Sequence, residues 1–248
     1  MVRAIVWTAV IWLVMVLFSG CTQMQMAPGG ANSQWVKTDP TNVAEVPKSK
    51  SRPITATTYY TAGLLLEKQG NYKGAVDKFN RALDLDPHHA AAINHLGMCY
   101  IGLRQYDLAA ETFKQAIQQN PNSACLHNNL GFVYLMEKKY ADAEAEFTNA
   151  IATNPPFKKA HANLGVALAK QGKIDPAINH FRQACSDTEA MYNVALILHA
   201  QHKYDQAEKY YQLALQKDPK FQLAAQGLKQ IQKDRDLDKQ KVAINENK

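Results

Sequence analysis

Residues 128–151 read NNLGFVYLMEKKYADAEAEFTNAI, and a closely similar phrase stands at the same distance on either side. The earlier copy begins at Asn94 and reads NHLGMCYIGLRQYDLAAETFKQAI. The later copy begins at Ala162 and reads ANLGVALAKQGKIDPAINHFRQAC. A phrase that returns at a fixed spacing indicates a packing unit that the chain stacks on itself.

Five positions of this phrase recur along most of the chain, and the sites are occupied in turn by a glycine, an alanine, an aromatic residue, a second alanine and a proline. They are Gly63, Gly97, Gly131, Gly165 and, in the last copy, Ala195; Ala75, Ala109, Ala143, Ala177 and Ala207; Phe79, Phe113, Phe147, Phe181 and Tyr211; Ala82, Ala116, Ala150, Ala184 and Ala214; and Pro87, Pro121, Pro155 and Pro219. The glycines of the first four copies are evenly spaced, but the step from Gly165 to Ala195 is shorter by roughly one helical turn. The fourth copy therefore lacks a turn, near Ser186.

Each copy has the apolar spacing of two amphipathic helices. The glycine on the first helix and the alanines on the second allow the helices to approach closely, and the aromatic side chain fills the space between them. The proline ends the second helix. Asp107, Asp175 and Asp205 are expected to be N-caps of second helices, with Pro176 at a first helical position.

This pattern resembles the tetratricopeptide repeat (TPR), whose period of about 34 residues the first four copies share. The resemblance implies an all-α fold, a right-handed TPR α-solenoid of five helix pairs with a C-terminal capping helix. Stacked copies share a core, and the last copy needs a polar cap. The predicted segments are a signal peptide at 1–20, a flexible linker at 21–55, repeats at 56–89, 90–123, 124–157, 158–187 and 188–221, a capping helix at 222–236 and a polar tail at 237–248.

The N-terminus has the layout of a secretory signal, with Arg3 followed by fifteen uncharged residues and then by Ser19, Gly20 and Cys21. This ending resembles the lipobox of bacterial lipoproteins, which implies that Cys21 is acylated and becomes the mature N-terminus. An uncleaved membrane helix is the alternative, although the apolar run is short for a bilayer span. Thr22 in place of an aspartate implies, by the same resemblance, an outer-membrane location facing the periplasm.

In a TPR array the first helix of each copy lines a concave groove, and by resemblance the residue before each Leu-Gly pair faces it. An asparagine there suits peptide binding, because its amide both donates and accepts hydrogen bonds. Beside these asparagines we expect an exposed apolar floor, which would mark a partner site unless some of its members point into the core. The predicted groove residues are Asn94, His95, Met98, Ile101, Asn128, Asn129, Phe132, Leu135, Met136, Asn163 and Asn193.

No catalytic, cofactor or metal motif is present in the sequence. His127 and His161 occupy the same repeat position, so the period places them there, and the other histidines lack ligands at metal-site spacing. Cys99, Cys125 and Cys185 fall in predicted helices and are interpreted as core residues. A positive charge excess of six, spread along the chain, does not form the basic stripe of a nucleic-acid binder.

The sequence thus predicts a non-enzymatic protein-binding scaffold of the cell envelope, attached to a membrane by lipid and using neither cofactor nor metal. It resembles TPR lipoproteins that assemble pili or secretion channels, such as the TadD-type proteins of Flp pili and the type IV pilotins. An adaptor for peptidoglycan-modifying enzymes is an alternative with the same architecture. An enzyme with an unrecognised site is a third hypothesis, of another class. The expected partner is a client protein, not a nucleic acid or a small-molecule substrate.

Overall fold

The computed structural model describes residues 53–246, and Cys21 and the predicted signal peptide lie outside this range. Between these residues the chain forms eleven helices and no strand. They are α1 (Ala56–Lys68), α2 (Tyr72–Leu85), α3 (Ala90–Gly102), α4 (Tyr106–Gln119), α5 (Ala124–Met136), α6 (Tyr140–Thr153), α7 (Lys158–Lys170), α8 (Ile174–Ala184), α9 (Asp187–Ala200), α10 (Tyr204–Lys217) and α11 (Gln222–Glu246).

Consecutive helices form five pairs, and each pair packs on the next, with α11 packed on the last pair. The prediction of an all-α solenoid with a capping helix is confirmed. The odd-numbered helices α1 to α9 are the first helices of the five copies, and the even-numbered helices are their partners. Each helix buries one face against its own partner and another against the neighbouring copy, and the largest core cluster runs from Phe132 of α5 to Ile231 of α11.

The two helices of a copy meet where an aromatic ring of the second helix lies on the repeat glycine of the first. Phe113 and Phe147 are fully buried, and a Cβ added to Gly97 or Gly131 would lie 2.4 or 2.8 Å from the facing ring. Such a distance is shorter than any van der Waals contact, so a side chain at this position would force the helices apart. The predicted role of the glycine is therefore confirmed.

The second helices end just before the repeat proline in the copies that carry it, as predicted. In the copies that carry the proline, the C-cap is an aspartate or asparagine that leaves the helical conformation, with ψ of 78° at Asn120 and 86° at Asn154, and the proline follows it directly. The starts differ from expectation, because α4, α8 and α10 begin one residue before Asp107, Asp175 and Asp205. These carboxylates lie in the first turn and interact favourably with the helix dipole instead of capping the helix.

The fourth copy is short in its second helix. α8 has 11 residues, whereas α6 has 14. The chain passes directly from Cys185 into α9, where Ser186 caps the helix and the Glu189 side chain accepts a hydrogen bond from the Ser186 backbone. This capping box starts a new helix without a proline or a loop.

The capping helix extends to Glu246, past the predicted end at residue 236. No proline interrupts this segment, and Gln232 donates a hydrogen bond to Asp236 one turn later. The helix is also held to the last repeat by charged groups, since Arg235 contacts Asp205 at 2.8 Å and Glu208 at 3.2 Å. The polar residues assigned to a tail therefore continue the cap.

Replacing Gly131 by alanine should destabilise the protein by about 1–3 kcal/mol, because the new methyl group would lie 2.8 Å from the Phe147 ring. The loss should exceed the gain in helix propensity that alanine brings. Thermal unfolding of the full chain, followed by circular dichroism, measures the change. In a Phe147→Leu background the same substitution should cost less, and an equal cost in both backgrounds would contradict a steric origin.

Candidate functional site

A cavity of about 390 Å³ opens between the second and third copies. Its walls come from the start of α3, the end of α4 and the start of α5. Small apolar residues, Ala90, Ala91 and Ala116, line much of it, and Asn94 and His95 add polar groups. Two of the predicted groove residues therefore border a space large enough to admit a side chain of a partner.

The cavity coincides with a break in the hydrophobic core. One core cluster surrounds Phe79 and reaches Cys99 in α3, and a separate one surrounds Phe113 and includes Val133 of α5. On either side of this break Ile93 of α3 and Leu126 of α5 line the cavity without filling it. The space that results is bounded by alanines and by the α4–α5 loop.

Two histidines border this cavity and are held by neighbouring side chains. The His95 Nδ1 atom lies 2.8 Å from the Glu67 Oε2 atom of α1, and its ring stacks on Phe79 with centroids 5.7 Å apart. The His88 Nδ1 atom lies 3.0 Å from the Gln119 Oε1 atom. These contacts fix both rings before any partner arrives, so the polar edge of the cavity is preorganised.

The asparagines that were predicted to face the groove and bind a peptide instead form hydrogen bonds with one another. The Asn129 amide donates to the Asn94 side-chain oxygen, and the Asn128 amide donates to the Asn129 oxygen at 3.3 Å. The Asn163 amide donates to the Asn128 oxygen at 2.9 Å. Asn128 and Asn163 are each only 1% exposed. This amide row joins α3, α5 and α7 and satisfies its own buried polar groups.

Asn193 does not join the row. Its amide contacts the Cys185 sulfur at 3.8 Å, within the boundary between the fourth and fifth copies. The side chain is 8% exposed and therefore has little surface to offer a partner. The predicted line of groove asparagines thus ends at α7.

Five residues were predicted to form the exposed apolar floor of the groove: Met98, Ile101, Phe132, Leu135 and Met136. The prediction is wrong for two of them, which are buried. Phe132 and Leu135 are 5% and 8% exposed and belong to the large core cluster that continues through α7. Met98 and Ile101 are half-buried, and only Met136, at the end of α5, is exposed, at 38%. The next copy covers α5 at these positions, so a continuous apolar surface does not form.

The repeat histidines have a structural role that the sequence period alone did not explain. The Nε2 atoms of His127 and His161 each donate to the carbonyl of a proline, Pro121 and Pro155, at 2.9 Å. Each bond ties the loop before a first helix to that helix. The signal in the sequence is a histidine six residues after the repeat proline, which occurs in copies three and four.

The Cys99 and Cys185 thiols, buried and half-buried respectively, are unsuited to act as nucleophiles. Burial raises the pKa of Cys99 to about 12, with a further contribution from Glu67, and raises that of Cys185 to about 11, with Glu189 adding to the effect. Both thiols therefore stay protonated near neutral pH, and the thiolate is the reactive form. No disulfide joins cysteines within residues 53–246.

Within the same range, no cluster of three or more histidine, cysteine or carboxylate side chains is arranged to hold a metal ion. None of the helices in the described part of the chain combines the length and the apolar character needed to cross a membrane.

Comparison with protein families identifies the repeats. Tetratricopeptide repeat profiles match residues 66–128 and 134–184, a second such profile matches 112–145 and a third matches 188–221. None of the curated protein sequences compared with the chain matches it.

Solved structures share the fold. A crystal structure of MamA is 25% identical with a TM-score of 0.55, over 66% of this chain and 92% of that protein. YrrB, described as a TPR protein with an unusual peptide-binding site, is 23% identical with a TM-score of 0.52, over 70% of this chain and 92% of its own. A TPR protein of Thermus thermophilus is 21% identical with a TM-score of 0.54, over 71% and 98% of the two chains. The repeats, the helix pairs and the matching profiles agree, and the chain belongs to the tetratricopeptide repeat family.

Proposed function

We propose that this protein is a protein-binding scaffold of the bacterial cell envelope that holds a segment of a client protein during assembly of a pilus or secretion complex. The observation that carries the proposal is the cavity between α3 and α5. The TPR fold is that of protein-interaction scaffolds, and no catalytic family matches the chain. Binding, not catalysis, is the function that this fold and this cavity support.

The chemistry of the cavity favours a side chain that is mainly apolar and uncharged. Ala90, Ala91, Ile93 and Leu126 provide apolar surface, while Asn94 places an amide at the edge. A client side chain that entered the cavity would bury apolar area, and its backbone could bond to the amide. Burial of apolar surface supplies about 25 cal/mol per Å².

The amide row supports a division of labour between the asparagines. Asn128 and Asn129 each donate one hydrogen bond and accept one within the row, and they are only 1% and 6% exposed, so a passing peptide has little access to their amides. They act on the client indirectly, because they hold α3 and α5 in register on one side of the cavity. We therefore assign positioning to Asn128, Asn129 and Asn163, and client contact to the cavity residues, among them Asn94, which only accepts a hydrogen bond within the row.

We further propose that lipid at Cys21 fixes the scaffold to the outer membrane, with the repeats in the periplasm. The support is the lipobox-like ending of the N-terminal apolar run. A linker of about 33 residues would have a root-mean-square span of roughly 30 Å, enough to hold the repeats away from the lipid surface. This arrangement resembles TPR lipoproteins that assemble pili and secretion channels.

Placing tryptophan at Ala90 should abolish capture of the client, because the indole would occupy the cavity. Ala90 lines the cavity and is exposed, so the substitution does not disturb the core. The matched control is Ala141→Trp, an exposed alanine at the start of α6. Full-length variants would be cross-linked in native envelopes, solubilised and purified, and their partners quantified by mass spectrometry.

A partner captured by the wild type and by Ala141→Trp, and reduced at least about tenfold in Ala90→Trp, would assign client binding to the cavity. A tenfold change corresponds to about 1.4 kcal/mol. Equal capture by all three proteins would contradict this assignment. Circular dichroism of each variant tests that the fold is retained.

Cys21→Ser should remove lipid labelling and release the protein from the membrane. Cells expressing the full chain would be grown with radioactive palmitate, and the label in the purified protein measured. Cys125→Ser is the control, since that residue lies in the repeats, and it should keep the label. Label that persists in Cys21→Ser would contradict acylation at Cys21, and a wild-type protein that stays in the membrane without taking up label would favour an uncleaved membrane helix.

A further inference from the structure

Two histidines face each other across the helix pair of the fourth copy. The Nδ1 atom of His161 on α7 lies 3.0 Å from the Nδ1 atom of His180 on α8. The two rings are stacked, with centroids 5.3 Å apart and an interplanar angle of 28°. His161 is buried and His180 is half-buried.

The hydrogen bonds determine where the protons of this pair reside. The His161 Nε2 atom lies 2.9 Å from the Pro155 carbonyl, which can only accept, so this nitrogen carries a hydrogen. In the neutral ring the His161 Nδ1 atom is therefore an acceptor. The His180 Nδ1 atom must be the donor to it, which leaves the His180 Nε2 atom able to take a proton.

One added proton leaves the contact between the rings intact. When His180 is protonated at Nε2, its Nδ1 still donates to His161. A second proton would have to go to the His161 Nδ1 atom, and both facing nitrogens would then carry hydrogens. No hydrogen bond can form between two donors, and two positive rings in contact repel each other.

The third copy has the same histidine with a different partner. His127 donates from Nε2 to Pro121, and its Nδ1 atom lies 2.6 Å from the Glu146 carboxylate. Glu146 occupies the position in α6 that His180 occupies in α8, since the two pairs have the same separation along the chain. A doubly protonated His127 ring keeps both of its bonds. The same two positions therefore pair a ring with a carboxylate in one copy and with a second ring in the next.

We propose that the His161–His180 pair is an acid-sensitive joint, which holds α7 against α8 at neutral pH and releases α8 when both rings are protonated. α8 is the shortest second helix, so the loss of one side-chain contact weakens it more than it would weaken its longer counterparts. The inference does not depend on which client the scaffold holds.

The charged groups around the pair are already engaged. From α6, Glu144 acts on His180, but Gln171 and Lys173 bind its carboxylate at 2.6 and 2.8 Å. From α9, Asp187 pairs with Arg182 and Glu189 with Ser186.

From α5, His127 is bound to Glu146. None of these groups contacts the facing Nδ1 atoms, so none of them replaces the hydrogen bond that double protonation removes.

The direction of the pH effect follows from the cost of placing positive charge on the pair, which is visible at His180. Burial lowers the pKa of His180 below its usual value and His161 lowers it further, while Glu144 opposes the shift. The unfolded chain, with a histidine pKa of about 6.5, then binds protons before the folded chain does. The stabilisation is present above about pH 6.5 and is lost as the pH falls below that value. For each proton involved, the equilibrium constant for unfolding rises by up to about tenfold per pH unit.

Hydrogen–deuterium exchange of the full-length protein in detergent, read by mass spectrometry at pH 7.5 and pH 5.0, tests the joint. After correction for the chemical exchange rate, protection of α8 should fall about tenfold at pH 5.0, while protection of α6 should change less than about twofold. In His180→Glu the pair matches that of the third copy, and the fall in α8 protection at pH 5.0 should disappear. The reciprocal Glu146→His should transfer the loss to α6.

Equal protection of α8 at the two pH values in the wild type would overturn the proposal, as would an unchanged loss in His180→Glu. If circular dichroism shows that His180→Glu does not fold, His180→Gln replaces it. An amide at that position donates to the His161 Nδ1 atom and can turn to accept from it, so the acid loss should again vanish. An acid loss that persists in His180→Gln would also contradict the joint.

Discussion

The contact between an aromatic ring and a glycine sets the distance between the two helices in each of the first four copies, and the rest of the structure depends on that distance. The last copy makes this contact with a different helix. It has Ala195 in place of the glycine, and the Tyr211 ring lies instead on Gly227, where an added Cβ would be 2.5 Å from the ring. Gly227 belongs to α11. The capping helix therefore packs on the last copy through the same kind of contact that joins the helices within a copy.

Most of the fold could be predicted because the period itself carries the information. The repeat alanines and aromatics are buried nearly everywhere that the period places them, and the short fourth copy appears where the spacing contracts. The turns between paired helices were harder to predict from the sequence. Gly70 and Gly172 take positive φ there, but Arg104 and Lys138 take it as well. Stacking thus imposes the turn conformation even where the local residue does not favour it.

The candidate site was less predictable, because it depends on how far each first helix is covered by the next copy. The repeat alignment places Phe132 on α5 but does not say whether α7 covers it, and it does. Asn129 and Asn94, which bond in the structure, are separated by 35 residues and belong to different copies. Their pairing requires a spatial register between first helices that no local sequence pattern specifies. The cavity depends on the same register, since α3 and α5 both line it.

Positions at which the copies differ are therefore the ones to examine for function, as His127 and His161 demonstrate. Both histidines are set by the repeat and both bind the loop proline, so they are structurally equivalent. Their partners are not equivalent, because α6 offers a carboxylate and α8 offers a second imidazole. A packing unit that tolerates either partner allows each copy to acquire its own response to protons without a change of fold. The alanines around the cavity are a second case, since they leave space between two copies whose helices are otherwise regular.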